Sequence, residues 1–259
     1  MTRLPVRLAA FMVGALLPAC SARSDSEAAA VPSTVRASDV RVTVPVCGQP
    51  TDYLVPPRRA VTHGINVTEM FVALGLADRL VGYGGLYDIA RLPPDVRAEL
   101  ASVPNLAGEG MNLETLLGAR PDFVFSGWAY GFRDGQVTPQ SLAELGIASY
   151  VLTESCIRKT ARERVSLEDT FADMLNLGRI FHIEARAQAL VDAQRAELDR
   201  IATAVQAAPQ RPRVFVYDSG TDIPVTAGRY AMPQAMIEAA GGANIFDDIL
   251  SSWTRGNWE

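Results

Sequence analysis

The chain has 259 residues, 48% of them hydrophobic and 20% charged, with a formal net charge of −5. That length allows one large domain or two small lobes, and the composition is that of an ordinary globular protein. The negative balance argues against a nucleic-acid or polyphosphate partner.

Residues 1–20 read as an export signal rather than as fold. Arg3 and Arg7 give a positive start, and residues 8–17 form an apolar run too short to span a bilayer. The run ends Leu17-Pro18-Ala19-Cys20, which is similar to the bacterial lipobox, in which small residues precede a Cys that is lipidated. Pro18 departs from that pattern, and plain secretory cleavage nearby is the alternative. The expectation is a lipoprotein signal peptide with Cys20 as the lipidation site. Residues 21–40 are rich in Ser and Ala and read as a flexible tether. With Cys20 lipidated, Cys47 and Cys156 remain as an even pair in an oxidising compartment. A bridge between them closes a loop of roughly 100 residues, worth up to ~4.7 kcal/mol in the chain-entropy view. Metal-type Cys/His spacing is absent from the sequence.

From 41 onward the elements can be read in order. Residues 41–45 alternate weakly, as a short β ribbon does. Residues 58–62 form a first buried strand that runs into His63-Gly64-Ile65-Asn66. A helix over 67–74 follows, with Asn66 as N-cap, Glu69 as its capping-box partner and Gly75 at C′. A strand at 80–83 ends in Gly84-Gly85, and prolines open a helix at 93–100. Asn112 caps a helix at 113–117, and 122–125 is a third strand. The loop 126–138 carries Trp128, Tyr130, Phe132 and Arg133. A helix at 139–145 ends at Gly146, and 147–152 is a fourth strand. Such β-α alternation with short links implies a parallel sheet covered by helices, an N-terminal α/β lobe spanning 41–165.

Residues 166–207 break the alternation. Leu167, Phe171, Met174 and Leu175 recur at helical spacing, and so do Ala187, Leu190, Leu198, Ile201 and Val205. Ser166 with Asp169 resembles an N-cap box. Gly178 and the Phe181-His182 region interrupt the phase, which predicts a short helix, a break and a long helix over 184–207, roughly 36 Å in length. Strand-and-helix patterning resumes afterwards, so a rigid strut between two α/β lobes is expected rather than an ordinary surface helix. A strand at 213–217, a loop at 218–231 and a helix at 232–240 closed by Gly241-Gly242 follow. Residues 208–259 thus hold one good strand and one good helix, too little to bury both faces of a parallel sheet. Gly256-Asn257-Trp258-Glu259 also echoes Gly110-Met111-Asn112-Leu113-Glu114. The second lobe is therefore expected to be incomplete and the chain truncated at its C-terminus. Such a chain is expected to bind ligand weakly or not at all.

These pieces resemble the substrate-binding proteins of ABC importers for ferric siderophores, haem and cobalamin, the helical-backbone class. The resemblance is carried by Asn66-Val67-Thr68-Glu69, by 73–82, by Asn112-Leu113-Glu114 and by 119–124. It continues through 142–147 and Ala240-Gly241-Gly242-Ala243-Asn244-Ile245-Phe246. It implies two small parallel-sheet lobes joined by one long helix, with ligand in the cleft between them and small opening motions. It also implies that one Glu on each lobe docks on Arg residues of the permease; the matching positions are Glu114 and Glu259. Read from the residues alone, Glu114 is simply an acid favoured in a helix's first turn.

Ligands of parallel α/β sheets bind beyond the carboxyl ends of the strands. The loops there carry Tyr87, Trp128, Tyr130 and Tyr230, with Trp253 joining from the second lobe. Rings with one polar end suit a large, flat, partly polar ligand. Arg133 and Arg229 suit carboxylate, phosphate or catecholate oxygens, and Asp218 belongs to the same loop set. Phe132 is as compatible with core as with pocket. His63 and His182 are the two histidines of the chain, so a multi-His metal site is excluded by count. His63 remains a candidate single axial ligand, although a packing role suits it better. Enzyme signatures such as Gly-x-Ser-x-Gly and the P-loop are absent, and nothing pairs Asp88, Asp134, Asp218 and Asp222 for acid–base work. The expected function is a monomeric, lipid-anchored, extracytoplasmic binding protein that hands a metal chelate or corrinoid to an ABC permease, without cofactor. A docking lipoprotein or a cleft enzyme on the same fold is the alternative.

Overall fold

The computed structural model describes residues 40–86, 88–107, 110–206 and 210–258. The expected signal peptide, Cys20 and all but the last tether residue lie outside the described residues, as do Tyr87 and Glu259. Among the described residues, no helix is long and apolar enough to cross a membrane.

The first elements are β1 (Arg41–Val46) and β2 (Gln49–Leu54), an antiparallel hairpin. Its two-residue turn, Cys47-Gly48, has both residues at positive φ, 46° and 79°, the conformation that matches the twist of flanking strands. Val44 and Tyr53 turn inward, and the Tyr53 hydroxyl donates to the Ser149 carbonyl at 2.8 Å.

The first lobe then alternates as expected, with one strand, β5, that the sequence did not mark: β3 (Ala60–His63), α1 (Ile65–Ala73), β4 (Leu80–Gly84), α2 (Pro94–Leu100), β5 (Asn105–Ala107), α3 (Leu113–Gly118), β6 (Phe123–Ser126), α4 (Pro139–Glu144) and β7 (Ala148–Val151). The five strands form one parallel sheet in the order β5-β4-β3-β6-β7. Alternate side chains feed a core on each face. Ala60, Phe123, Phe125 and Tyr150 pack toward α1 and the later long helices. Val61, Val124 and Val151 pack with Leu116 and Leu142 on the other side. Burial on both faces is what parallel strands require.

One local expectation fails. Asn66 does not cap α1. The N-cap is Gly64 at φ 121°, without a side-chain cap, and Asn66 Oδ1 instead accepts from the adjacent Val67 N–H at 3.0 Å. A positive φ at Gly64 starts the helix two residues earlier than a side-chain cap would. Other local signals hold. Asn112 Oδ1 accepts from Thr115 N–H at 3.1 Å, and Gly75 and Gly146 sit at φ 72° and 73° after their helices.

The connecting stretch is α5 (Leu167–Phe181) followed by α6 (Glu184–Gln206). Ser166 Oγ accepts from Glu168 N–H and Asp169 Oδ2 from Ser166 N–H, the expected reciprocal cap. His182 breaks the helix in the left-handed conformation. Gly178 does not interrupt it. That residue lies inside α5, where a Cβ would stand 2.6 Å from Ala187 Cβ of α6, so glycine allows the two helices to close on each other. At 23 residues α6 is about 35 Å long.

The second lobe contains β8 (Arg213–Val214), β9 (Val225–Ala227), α7 (Met232–Ala239), β10 (Ala243–Asn244) and β11 (Trp253–Arg255). β8 pairs in parallel with β10, and β9 pairs antiparallel with β11. The strand expected over 213–217 is thus shorter. Phe215 and Tyr217 are exposed and stack with Phe246 and Trp258 instead of entering a sheet core. α6 reaches this lobe near its C-terminal end, where a Cβ on Gly241 would lie 2.9 Å from Val205.

Candidate functional site

The carboxyl edge of the five-stranded sheet places His63, Ser126 and Val151 at the ends of β3, β6 and β7. His63 points down rather than out. It is 3% exposed, shares its face with Val61 and borders a small cavity of about 10 Å³ with Met111, Thr115 and Leu116. Neither ring nitrogen has a hydrogen-bond partner. Burial holds its pKa below the usual imidazole value, and the charge of Arg133 adds to that effect. Gly85 and Gly131 close over the ring, so His63 is a packed residue.

The loop after β6 is where the aromatic candidates come together. Phe132 is fully buried and belongs to the core, while Trp128 lies half-buried across it, ring centroids 5.9 Å apart. The Lys159 ammonium sits 4.2 Å above the Trp128 ring and bridges to Asp134 at 2.6 Å. Lys159, the one lysine of the chain, was not among the expected site residues. Tyr130 folds back over Gly64 and over Gly127, where a Cβ would collide with its ring. Its hydroxyl is enclosed without a partner. Burial raises that phenol's pKa further above its ordinary range, and the nearby Glu154 carboxyl raises it more, against the influence of Asn66 and Ser155. Arg133 extends into solvent.

The second-lobe candidates form a separate group. Tyr230 N–H donates to Ser251 O at 2.9 Å and Gly228 N–H to Ser252 O at 2.8 Å, which ties the Arg229–Tyr230 turn to the strand bearing Trp253. Arg229 is exposed and its Nε donates to Asp247 O at 2.6 Å. It also borders a 260 Å³ cavity with Glu163, Arg164, Gln234 and Glu238. Asp218 is exposed, and its carboxylate accepts from Ser219 Oγ at 2.9 Å. Glu114 is exposed in the first turn of α3. Among the described residues no cluster of three His, Cys, Asp or Glu side chains converges as a metal site.

Glu154 connects the two groups. It follows β7 and accepts from the Met232 N–H of α7 at 3.4 Å. Burial pushes its carboxyl pKa up, opposed by that N–H and by Arg162 and Arg158. No sequence signal marked Glu154, because its partner is a backbone group 78 residues away. Cys47 and Cys156 are disulfide-bonded, Cα atoms 5.3 Å apart, so that expectation holds.

A parallel-sheet lobe, a long helix and a second lobe facing the strands' carboxyl ends is an architecture shared with known proteins. The sequence profile described as periplasmic binding protein matches residues 61–259. The chain belongs to that family. Among solved structures, this binding protein is similar to a periplasmic binding protein from Veillonella parvula at 26% identity and TM-score 0.69, covering 85% of this chain and 72% of that one. It is similar to an ABC-type Fe3+-hydroxamate transport system structure from Saccharomonospora viridis at 23% identity and TM-score 0.71, covering 83% and 74%. It is also similar to the periplasmic heme-binding protein of Roseiflexus sp. RS-1 at 23% identity and TM-score 0.60, covering 77% and 70%. The resemblance read from the sequence and the expected fold class are therefore correct. In this periplasmic binding protein Trp128, Tyr130 and Arg133 lie on the loop after β6, Arg229 and Tyr230 lie between β9 and α7, and Trp253 opens β11.

Proposed function

We propose that this periplasmic binding protein is lipid-anchored through Cys20 and captures a metal chelate or corrinoid between its lobes for delivery to an ABC permease. The observation that carries the reading is the family match over residues 61–259, combined with aromatic and cationic loops at the carboxyl edge of the sheet. The similar proteins described as an Fe3+-hydroxamate transport system and a heme-binding protein favour ferric siderophores and haem, and the same ring chemistry suits cobalamin. In this reading Tyr87, Trp128, Tyr130, Tyr230 and Trp253 supply apolar faces with polar rims. Arg133 and Arg229 meet oxygen anions, and Asp218 meets a donor of the ligand. Glu114 and Glu259 dock on permease arginines.

Quenching of tryptophan fluorescence in the native full-length protein tests this directly. Titration with haem, cobalamin and a panel of ferric siderophores should give saturable binding of one class, weakened in Trp128→Ala. Absence of binding across all three classes overturns the ligand assignment. Metabolic labelling with a fatty-acid analogue that fails to mark Cys20 overturns the anchor.

A further inference from the structure

Helix α7 lacks a cap of its own. Its N-cap residue is Ala231, which has no side-chain acceptor, and the helix begins Met232-Pro233. The Met232 N–H is one of the first-turn donors that no helical carbonyl can satisfy. It is satisfied across the molecule by the Glu154 carboxyl group at 3.4 Å, at the end of the helix dipole that favours an acid. Among the described residues this is the one hydrogen bond joining residues 40–165 to residues 210–258.

The surroundings make that contact mechanically distinct. Beside it, segment 163–165 and the second lobe line a 260 Å³ cavity through Glu163, Arg164, Arg229 and Gln234. Behind it, the second lobe rests on α6 through Gly241 and Val205. α7 also packs on α5 and α6, so the Glu154–Met232 contact is the polar member of the set that holds the second lobe against the first.

We propose that Glu154 is an inter-lobe latch that caps α7 from the opposite lobe and is released when the lobes part. Closing the lobes satisfies an orphan donor, and opening them returns both groups to water. The proposal rests on the lobe geometry and needs no assumption about the ligand.

Amide hydrogen exchange of the ligand-free, full-length protein reads the latch at its donor. Pro233 has no amide, so a peptide spanning 229–234 reports on Met232 with few other signals. Glu154→Ala should exchange about tenfold faster there, the change expected for losing one hydrogen bond to an ionisable group. Glu154→Gln, which keeps an acceptor oxygen at the same reach, should remain within about twofold of native. Peptides from α1 and β6 should not change. Should the alanine variant fail to fold, Glu154→Ser, too short to reach Met232, gives the same readout. Native-like exchange in both truncated variants overturns the proposal, and so does equal acceleration in α1. Since no ligand is present, either result leaves the solute-binding reading where it stood.

Discussion

The Tyr150 hydroxyl donates a 2.7 Å hydrogen bond to Asp173 Oδ1 in a space closed to solvent, with Asp173 0% exposed. Thr153 adds its N–H at 3.0 Å and its hydroxyl at 2.5 Å, and Asn176 Nδ2 donates to the Tyr150 oxygen at 2.9 Å. The cluster fastens α5 to the end of β7.

This acid carries a pH signature. Burial pushes the Asp173 pKa up to about 7, against the hydrogen bonds from Thr153 and Tyr150. Between the unfolded value near 3.8 and 7, the native state holds a proton that the unfolded chain has lost. Stability is therefore fullest below the unfolded pKa and declines as pH rises through 7, by an amount on the order of 4 kcal/mol for this group. Asp173→Asn leaves hydroxyl partners that can turn to accept, and it should flatten that decline. Urea unfolding at a series of pH values from 4 to 8 checks it, and parallel curves for the two proteins would sink the assignment.

Gly178 and Ala187 make a second prediction from close approach. Alanine is the better helix former by about 1 kcal/mol. A methyl at 178, however, would stand 2.6 Å from Ala187 Cβ, and overpacking of this kind costs ~1–3 kcal/mol. The clash should win, so Gly178→Ala lowers stability. Ala187→Gly in the same chain should recover much of the loss, because it vacates the contacted position. A double-mutant cycle in denaturant with no coupling between the sites would contradict the argument.

What was legible in the sequence was local. The Ser166–Asp169 cap, the break at His182 and the glycines after α1 and α4 follow from rules that reach only a few residues, and all of them hold. The alternation of the first lobe is likewise carried by short hydrophobic runs. Where a partner lies far along the chain, reading failed. β9 and β11 are three residues each and exist through pairing with residues far along the chain, Val225 with Arg255 at one end and Ala227 with Trp253 at the other. Asn66 looked like a cap because its own spacing is right, yet Gly64 can adopt a φ that an Asn is not needed to replace. The candidate rings were found as a loop set. Their individual fates, Phe132 in the core and Trp128 under Lys159, depend on tertiary contacts that no spacing encodes.

The Cys47–Cys156 bridge pins the hairpin tip to the turn after β7 across 109 positions of sequence. Cross-links over such spans restrict the unfolded chain strongly, and their loss typically costs ~2–5 kcal/mol. Replacing both cysteines with serine should lower the guanidinium midpoint accordingly, while reduction of the native protein should reproduce the shift. A midpoint equal to that of the oxidised protein would show that the bridge adds nothing to stability.

Tyr130 separates stability from recognition. Its hydroxyl is enclosed and unpartnered, and a buried donor without an acceptor costs ~1–3 kcal/mol. Removing it in Tyr130→Phe should therefore leave the melting temperature unchanged or raise it, since the ring still packs over Gly127 and Gly64. If the hydroxyl is kept for a ligand oxygen or metal between the lobes, the same change should weaken ligand affinity about tenfold, the worth of one hydrogen bond. A structural tyrosine would give the reverse pattern, a lower melting temperature with affinity intact. Measuring both quantities on one variant thus decides whether the orphan phenol is a packing compromise or the part of the cleft that waits for its ligand.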